Sequence, residues 1–102
     1  MFTGTLRVDL RLGDVRSLKQ KRSVVRPIIA EVQRRFQVSV AETAHHDLYR
    51  RAEIGVAVVS GDGSRCRDVL DSIERALAAR PEVELLVAHR QLFAADDDQE
   101  VS

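Results

Sequence analysis

Residues 2–12 read FTGTLRVDLRL. Phe2, Leu6, Val8, Leu10 and Leu12 fall on one side of an extended chain, and Thr3, Thr5, Arg7, Asp9 and Arg11 on the other. A period of two over that length predicts a strand with one buried and one polar face. Gly13-Asp14 breaks the alternation and the period then changes. Ser17-Leu18-Lys19-Gln20 has the form of a capping box, in which serine and glutamine side chains each satisfy an amide at a helix start. Leu18, Val25, Ile28, Ile29, Val32 and Phe36 recur at helical spacing and predict one apolar stripe on a helix over 17–35. Pro27 lies inside it and removes the amide that would bond the Ser23 carbonyl, so a bend is expected there, with two shorter helices as the alternative.

Outward from this pair the pattern repeats. Phe36, Val38 and Val40 begin a second strand, residues 44–50 form a polar connection, and Ile54, Val56 and Val58 mark a third strand backed by Gly55, Ala57 and Val59. Gly61-Asp62-Gly63-Ser64 is a turn. A second helix presents Cys66, Val69, Leu70, Ile73, Ala76 and Leu77 on one face, and Pro81 ends it. Val83, Leu85 and Val87 make a fourth strand, closed by Leu92-Phe93. The order βαββαβ, with right-handed crossovers, gives an α+β, ferredoxin-like fold: a four-stranded antiparallel sheet with two helices on one face. Residues 1–93 are expected to form one domain and 94–102 an acidic disordered tail.

A chain of 102 residues, 44% hydrophobic, supports one modest core. No apolar run approaches the roughly 18 residues of a membrane helix, so no membrane partner is expected. The alternating start does not resemble a secretory signal, and a cytoplasmic location is expected. Cys66 is the single cysteine and forms no internal disulfide. The net charge of zero conceals a split. Residues 1–52 carry 11 basic and 5 acidic side chains, and residues 53–102 the reverse. Such asymmetry points to a basic surface for nucleic acid or an acidic partner, unless the two halves interleave and neutralise each other across the sheet.

On a helical wheel Arg16, Lys19, Arg22, Arg26 and Arg34 share one arc of about 120°, free of acids. Cations spaced in this way suit successive phosphates, in a salt-dependent and largely sequence-blind contact. The alternative is a solvated helix face. Lys21 points into the apolar arc, where a buried ammonium needs a partner, and Glu42 is a carboxylate that can supply one. Adjacent His45 and His46 point opposite ways on an extended chain, and no second cluster completes a metal site, so no metal is expected. The Gly61/Gly63 turn lacks the third glycine of a dinucleotide loop, Cys66 standing in its place, and no cofactor is expected. Cys66 sits on the apolar helix face as a core thiol. No serine or cysteine is paired by motif with a histidine and an acid, so no enzymatic activity is expected. The two central strands offer no ring for stacking bases, and their weakly apolar open face suits a homodimer or a protein partner instead.

Ser17-Leu18-Lys19-Gln20-Lys21-Arg22, Phe36-Gln37-Val38-Ser39-Val40-Ala41-Glu42 and Leu48-Tyr49-Arg50-Arg51-Ala52-Glu53-Ile54-Gly55, in that order, closely resemble the YlxP-like family of small bacterial proteins of unknown function. The resemblance spans residues 1–92. It implies a ferredoxin-like fold and a bacterial cytoplasmic protein, commonly encoded near translation initiation factor and ribosome-binding factor genes, and it implies no activity. Tyr49 stands where the family tends to have tryptophan, leaving an aromatic anchor in place. The family's recurring polar residues match Ser17, Lys19, Lys21, Arg22, Ser39, Glu42 and Arg51. Ser17, Lys21, Ser39, Glu42 and Arg51 form a candidate polar cluster at the helix start and the second strand's end, either a site or a network fixing the loop. Together these readings lead to the expectation of an accessory protein of ribosome maturation or translation. Its basic helix would contact ribosomal RNA or the small ribosomal subunit. A homodimeric interaction module using the open sheet is the alternative.

Overall fold

The computed structural model describes residues 1–95. Its elements are β1 (Phe2–Leu12), α1 (Leu18–Phe36), β2 (Ser39–Ala44), β3 (Arg51–Ser60), α2 (Gly63–Ala78) and β4 (Val83–Ala94). The sheet order is β2-β3-β1-β4 with every neighbouring pair antiparallel, the expected ferredoxin-like arrangement. Leu6, Val8, Leu10 and Leu12 of β1 are buried, as the alternation requires. They pack with Ile54 and Val56 of β3, Ile28 of α1, and Leu70, Ile73 and Leu77 of α2 into one core. Helix α2 comes close to β1 because residue 4 is glycine: a Cβ there would lie 2.9 Å from Leu70 Cδ1. Cys66 is fully buried in this layer, a core thiol.

Several boundaries differ from the sequence pattern. Helix α1 is one continuous helix through Pro27, which sits exposed while Val25 and Ile28 beside it hold the helix on the core. Phe36 belongs to α1 and not to the second strand, because it extends the helical apolar stripe. The helix then closes on Gln37, whose left-handed backbone (φ 54) sends its amide to the Gln33 carbonyl. The third strand begins at Arg51, which buries Ala52. Strand β4 runs to Ala94, and the Ala95 amide donates to the Met1 carbonyl at 2.9 Å, so the ordered domain passes the expected boundary at residue 93. The rest of the expected acidic tail, 96–102, lies outside the described residues. Register shifts interrupt the β1–β4 pairing between Asp9 and Leu10 and the β2–β3 pairing between Glu42 and Ala44.

Candidate functional site

The start of α1 carries the reciprocal cap that its sequence announces. The Gln20 amide donates to Ser17 Oγ at 3.1 Å, and Gln20 Oε1 accepts from the Arg16 amide at 2.6 Å. Arg16 therefore precedes the N-cap and is not on the helix, so the wheel does not place it. Its guanidinium pairs with Asp14 at 3.1 Å, an acid outside the arc that the wheel does not see. Lys19, Arg22, Arg26 and Arg34 are exposed on α1, and none has an ion-pair partner among the described residues. Lys19 and Arg34 are 15 residues apart along the helix, roughly 22 Å.

Lys21 is turned inward and only 3% exposed. Its Nζ lies 2.8 Å from Glu42 Oε2 and donates to the His45 carbonyl at 2.6 Å. His45 has a left-handed backbone (φ 63), which turns the β2–β3 hairpin there, and His46 Nε2 lies 3.1 Å from the Glu42 carbonyl oxygen. The hairpin is thus tied to the first turns of α1. On the open face of the sheet, His45 Nε2 is 3.4 Å from Asp9 Oδ1, and Arg51 is 3.6 Å from Asp9 Oδ2.

The polar cluster therefore divides. Ser17 is a cap, Lys21 and Glu42 are a buried pair, and Arg51 binds Asp9 on the open face. Ser39 lines a hollow at the other end of β2. A strand's alternating faces separate these residues although sequence order groups them. Tyr49 is 49% exposed in the hairpin, so it does not anchor the loop as its resemblance to the family's tryptophan implied.

The open face also holds residues that the sequence did not single out. Arg7 pairs with Glu53 at 3.4 Å, Thr43 Oγ1 donates to Glu53 at 2.7 Å, and Arg11 lies 3.5 Å from Glu84. Gly55 leaves room for Thr43, whose Cγ2 would be 2.7 Å from an added Cβ. Thr5, Ser39, Ala41, Gly55 and Ala57 line a shallow hollow of about 410 Å³. At one end, exposed Val59 and Phe93 flank Thr3 in register, so the edge strand brings a ring to a face whose central strands have none. On the opposite face Arg90 reaches Asp71 and Glu74 of α2. Its hydrogen bond to Asp71 holds that carboxyl below its usual value. Among the described residues, no group of three His, Cys, Asp or Glu is placed to hold a metal ion.

Residues 3–90 match the family model described as "Protein of unknown function (DUF503)". The chain belongs to this family. It is 31% identical over 80 residues to the uncharacterized protein YlxP of Bacillus subtilis (strain 168), covering 78% of this chain and 87% of the relative. Its fold is similar to the solution NMR structure of a de novo designed protein with a ferredoxin fold (TM-score 0.53, 18% identity, 99% of this chain and 93% of the other). A crystal structure of SnoaB, a cofactor-independent oxygenase from Streptomyces nogalater, aligns at a TM-score of 0.47 and 16% identity, over 97% of this chain and 96% of the other. The family match spans the three sequence stretches quoted above, and the designed protein shares the ferredoxin-like topology.

Proposed function

We propose that the protein is a non-enzymatic, cytoplasmic accessory factor that associates with structured RNA, in ribosomal RNA or the small ribosomal subunit, through the outer face of α1. The observation that supports this reading is the state of the four cations. Lys19, Arg22, Arg26 and Arg34 have no carboxylate partner among the described residues, whereas Arg7, Arg11, Arg51, Arg80 and Arg90 each have one. Unpaired cations along one helix attract a phosphate backbone, and counterion release makes the contact weaken steeply with salt.

The test is a titration of the purified protein against ribosomal RNA and small ribosomal subunits at two salt concentrations. The expected outcome is saturable, salt-sensitive binding that Arg22→Glu with Arg26→Glu weakens on the order of 100-fold while the thermal midpoint stays nearly unchanged. Absence of binding at low salt overturns the reading.

A second reading has its own observation: the hollow at Gly55 and Ala57, with Val59 and Phe93 exposed beside it, is an unpartnered surface of small and apolar side chains. There the protein is a homodimeric interaction module without RNA affinity. Ala57→Glu then shifts the sedimentation coefficient to that of a monomer, and the α1 double variant does not.

A further inference from the structure

A groove of about 380 Å³ runs between α1 and β2, within the size range of small-molecule sites, roughly 300–1,000 Å³. Leu18, Val25 and Ile29 give it an apolar floor, Arg22 and Arg26 stand along the helix side, and Glu42 and His46 form the opposite wall. Glu42 commits Oε2 to Lys21, while its Oε1 has no hydrogen bond among the described residues. The groove therefore offers three things at once: cations without partners, a flat apolar bed and a fixed carboxylate acceptor.

We propose that this groove receives one unstacked nucleotide of the bound RNA, with its phosphate on Arg22 and Arg26 and an amino-bearing base on the apolar floor against Glu42. The inference rests on the RNA reading above and adds a base-reading pocket to a surface that otherwise senses only phosphates. The mixture of groups selects this occupant. An acidic peptide satisfies the arginines but brings carboxylates against Glu42. An acyl chain fills the floor and leaves Glu42 facing a group that cannot donate. A nucleotide supplies an anion, an apolar ring face and, in cytosine, adenine or guanine, an exocyclic amine that donates to a carboxylate. The Lys21 ammonium, 2.8 Å from Oε2, holds that carboxylate in place. Uracil presents a carbonyl where cytosine presents its amine, so the groove discriminates between two bases of nearly the same shape.

The experiment uses three short RNA hairpins, identical except that one is fully paired, one has a single bulged cytidine and one a single bulged uridine. Each is titrated by fluorescence anisotropy with the full-length protein. The expected result is that the cytidine bulge binds at least about tenfold more tightly than the paired hairpin and about fivefold more tightly than the uridine bulge. Leu18→Trp, which fills the groove, is expected to bring the cytidine bulge down to the affinity of the paired hairpin and to leave the paired hairpin unaffected. If Leu18→Trp does not give a native circular dichroism spectrum, Ile29→Trp replaces it, because Ile29 is only half-buried and fills the same groove from its floor, with the same expected loss for the cytidine bulge. Equal affinity for paired and bulged hairpins overturns the groove proposal and leaves the RNA reading standing. Equal affinity for cytidine and uridine removes Glu42 from base recognition and overturns the proposal as stated. No binding to any hairpin overturns both.

Discussion

The open face of the sheet and the outer face of α1 both carry arginines, and they treat them differently. On the sheet, Arg7, Arg11 and Arg51 each lie within 3.6 Å of a carboxylate supplied by a neighbouring strand or their own sheet partner. On α1, Lys19, Arg22, Arg26 and Arg34 have no such neighbour among the described residues. The charge split between the two halves of the chain explains how this arises. Arg7 with Glu53 and Arg11 with Glu84 join a cation of the basic half to an acid of the acidic half. Interleaving thus cancels part of the asymmetry where strands meet and leaves it uncancelled on the outer face of α1, which points away from them. The sheet's charges are spent on one another, whereas those of α1 remain available.

The comparison is most sharply tested at Lys21 and Glu42, the pair lying between the two surfaces. Glu42→Ala strands an ammonium that is 3% exposed, whereas Lys21→Met strands a carboxylate that is 22% exposed and can still hydrate. The first is expected to cost about 3 kcal/mol and the second about 1 kcal/mol, read from chemical denaturation. Equal costs would mean that both partners are equally shielded.

Charge reversal separates the two arginine faces by what it changes. Arg22→Glu with Arg26→Glu is expected to weaken RNA binding on the order of 100-fold and to move stability by less than about 0.5 kcal/mol. Arg7→Glu has the opposite signature, a loss of stability of up to about 1 kcal/mol from placing like charges together with RNA affinity within twofold of wild type. A stability loss in the α1 variant would show that its cations serve the fold.

Gly55 gives a smaller effect on the sheet face. Gly55→Ala pushes Thr43 aside and is expected to cost about 1 kcal/mol. Adding Thr43→Ser, which removes the crowding methyl, should return most of it, and additivity of the two changes would exclude the contact.

The smallest effect concerns acid. The Arg90 guanidinium lowers the Asp71 pKa, so this group's contribution is present above its ordinary value of 3.8 and is lost as pH falls through the lower, folded value. Asp71→Asn should therefore flatten the acid limb of the stability–pH curve below about pH 4 and leave it unchanged at neutrality in shape.

How far the sequence alone carries depends on which interactions set each feature. Alternation in residues 2–12, the Ser17–Gln20 cap and the stripe from Leu18 to Phe36 are local, and each reappears in the structure within a residue or two. Lys21 was legible for the same reason: a cation in an apolar arc demands a partner, and Glu42 lies near enough along the hairpin to supply it. The pairing of Asp9 with His45 and Arg51 depends on register between distant strands, which no local pattern encodes. The loss of Arg16 from the helical arc follows from one cap residue. The division of Ser39 and Arg51 from Lys21 and Glu42 follows from the two-residue period of the strands. That period was visible in the sequence, but grouping the residues by their order along the chain overlooked it.

The two register shifts have a consequence for assembly. Strands β2 and β4 are the sheet's edges, and each is interrupted in its pairing with the strand beside it, at Glu42/Ala44 and opposite Asp9/Leu10. Arg90 also points from the β4 edge toward α2 as an inward-facing charge. A kinked edge with a charge beneath it is a poor template for another strand, which needs a long, flat row of free backbone groups. Growth of the sheet by edge-to-edge stacking, the route to fibres, is therefore disfavoured at both ends.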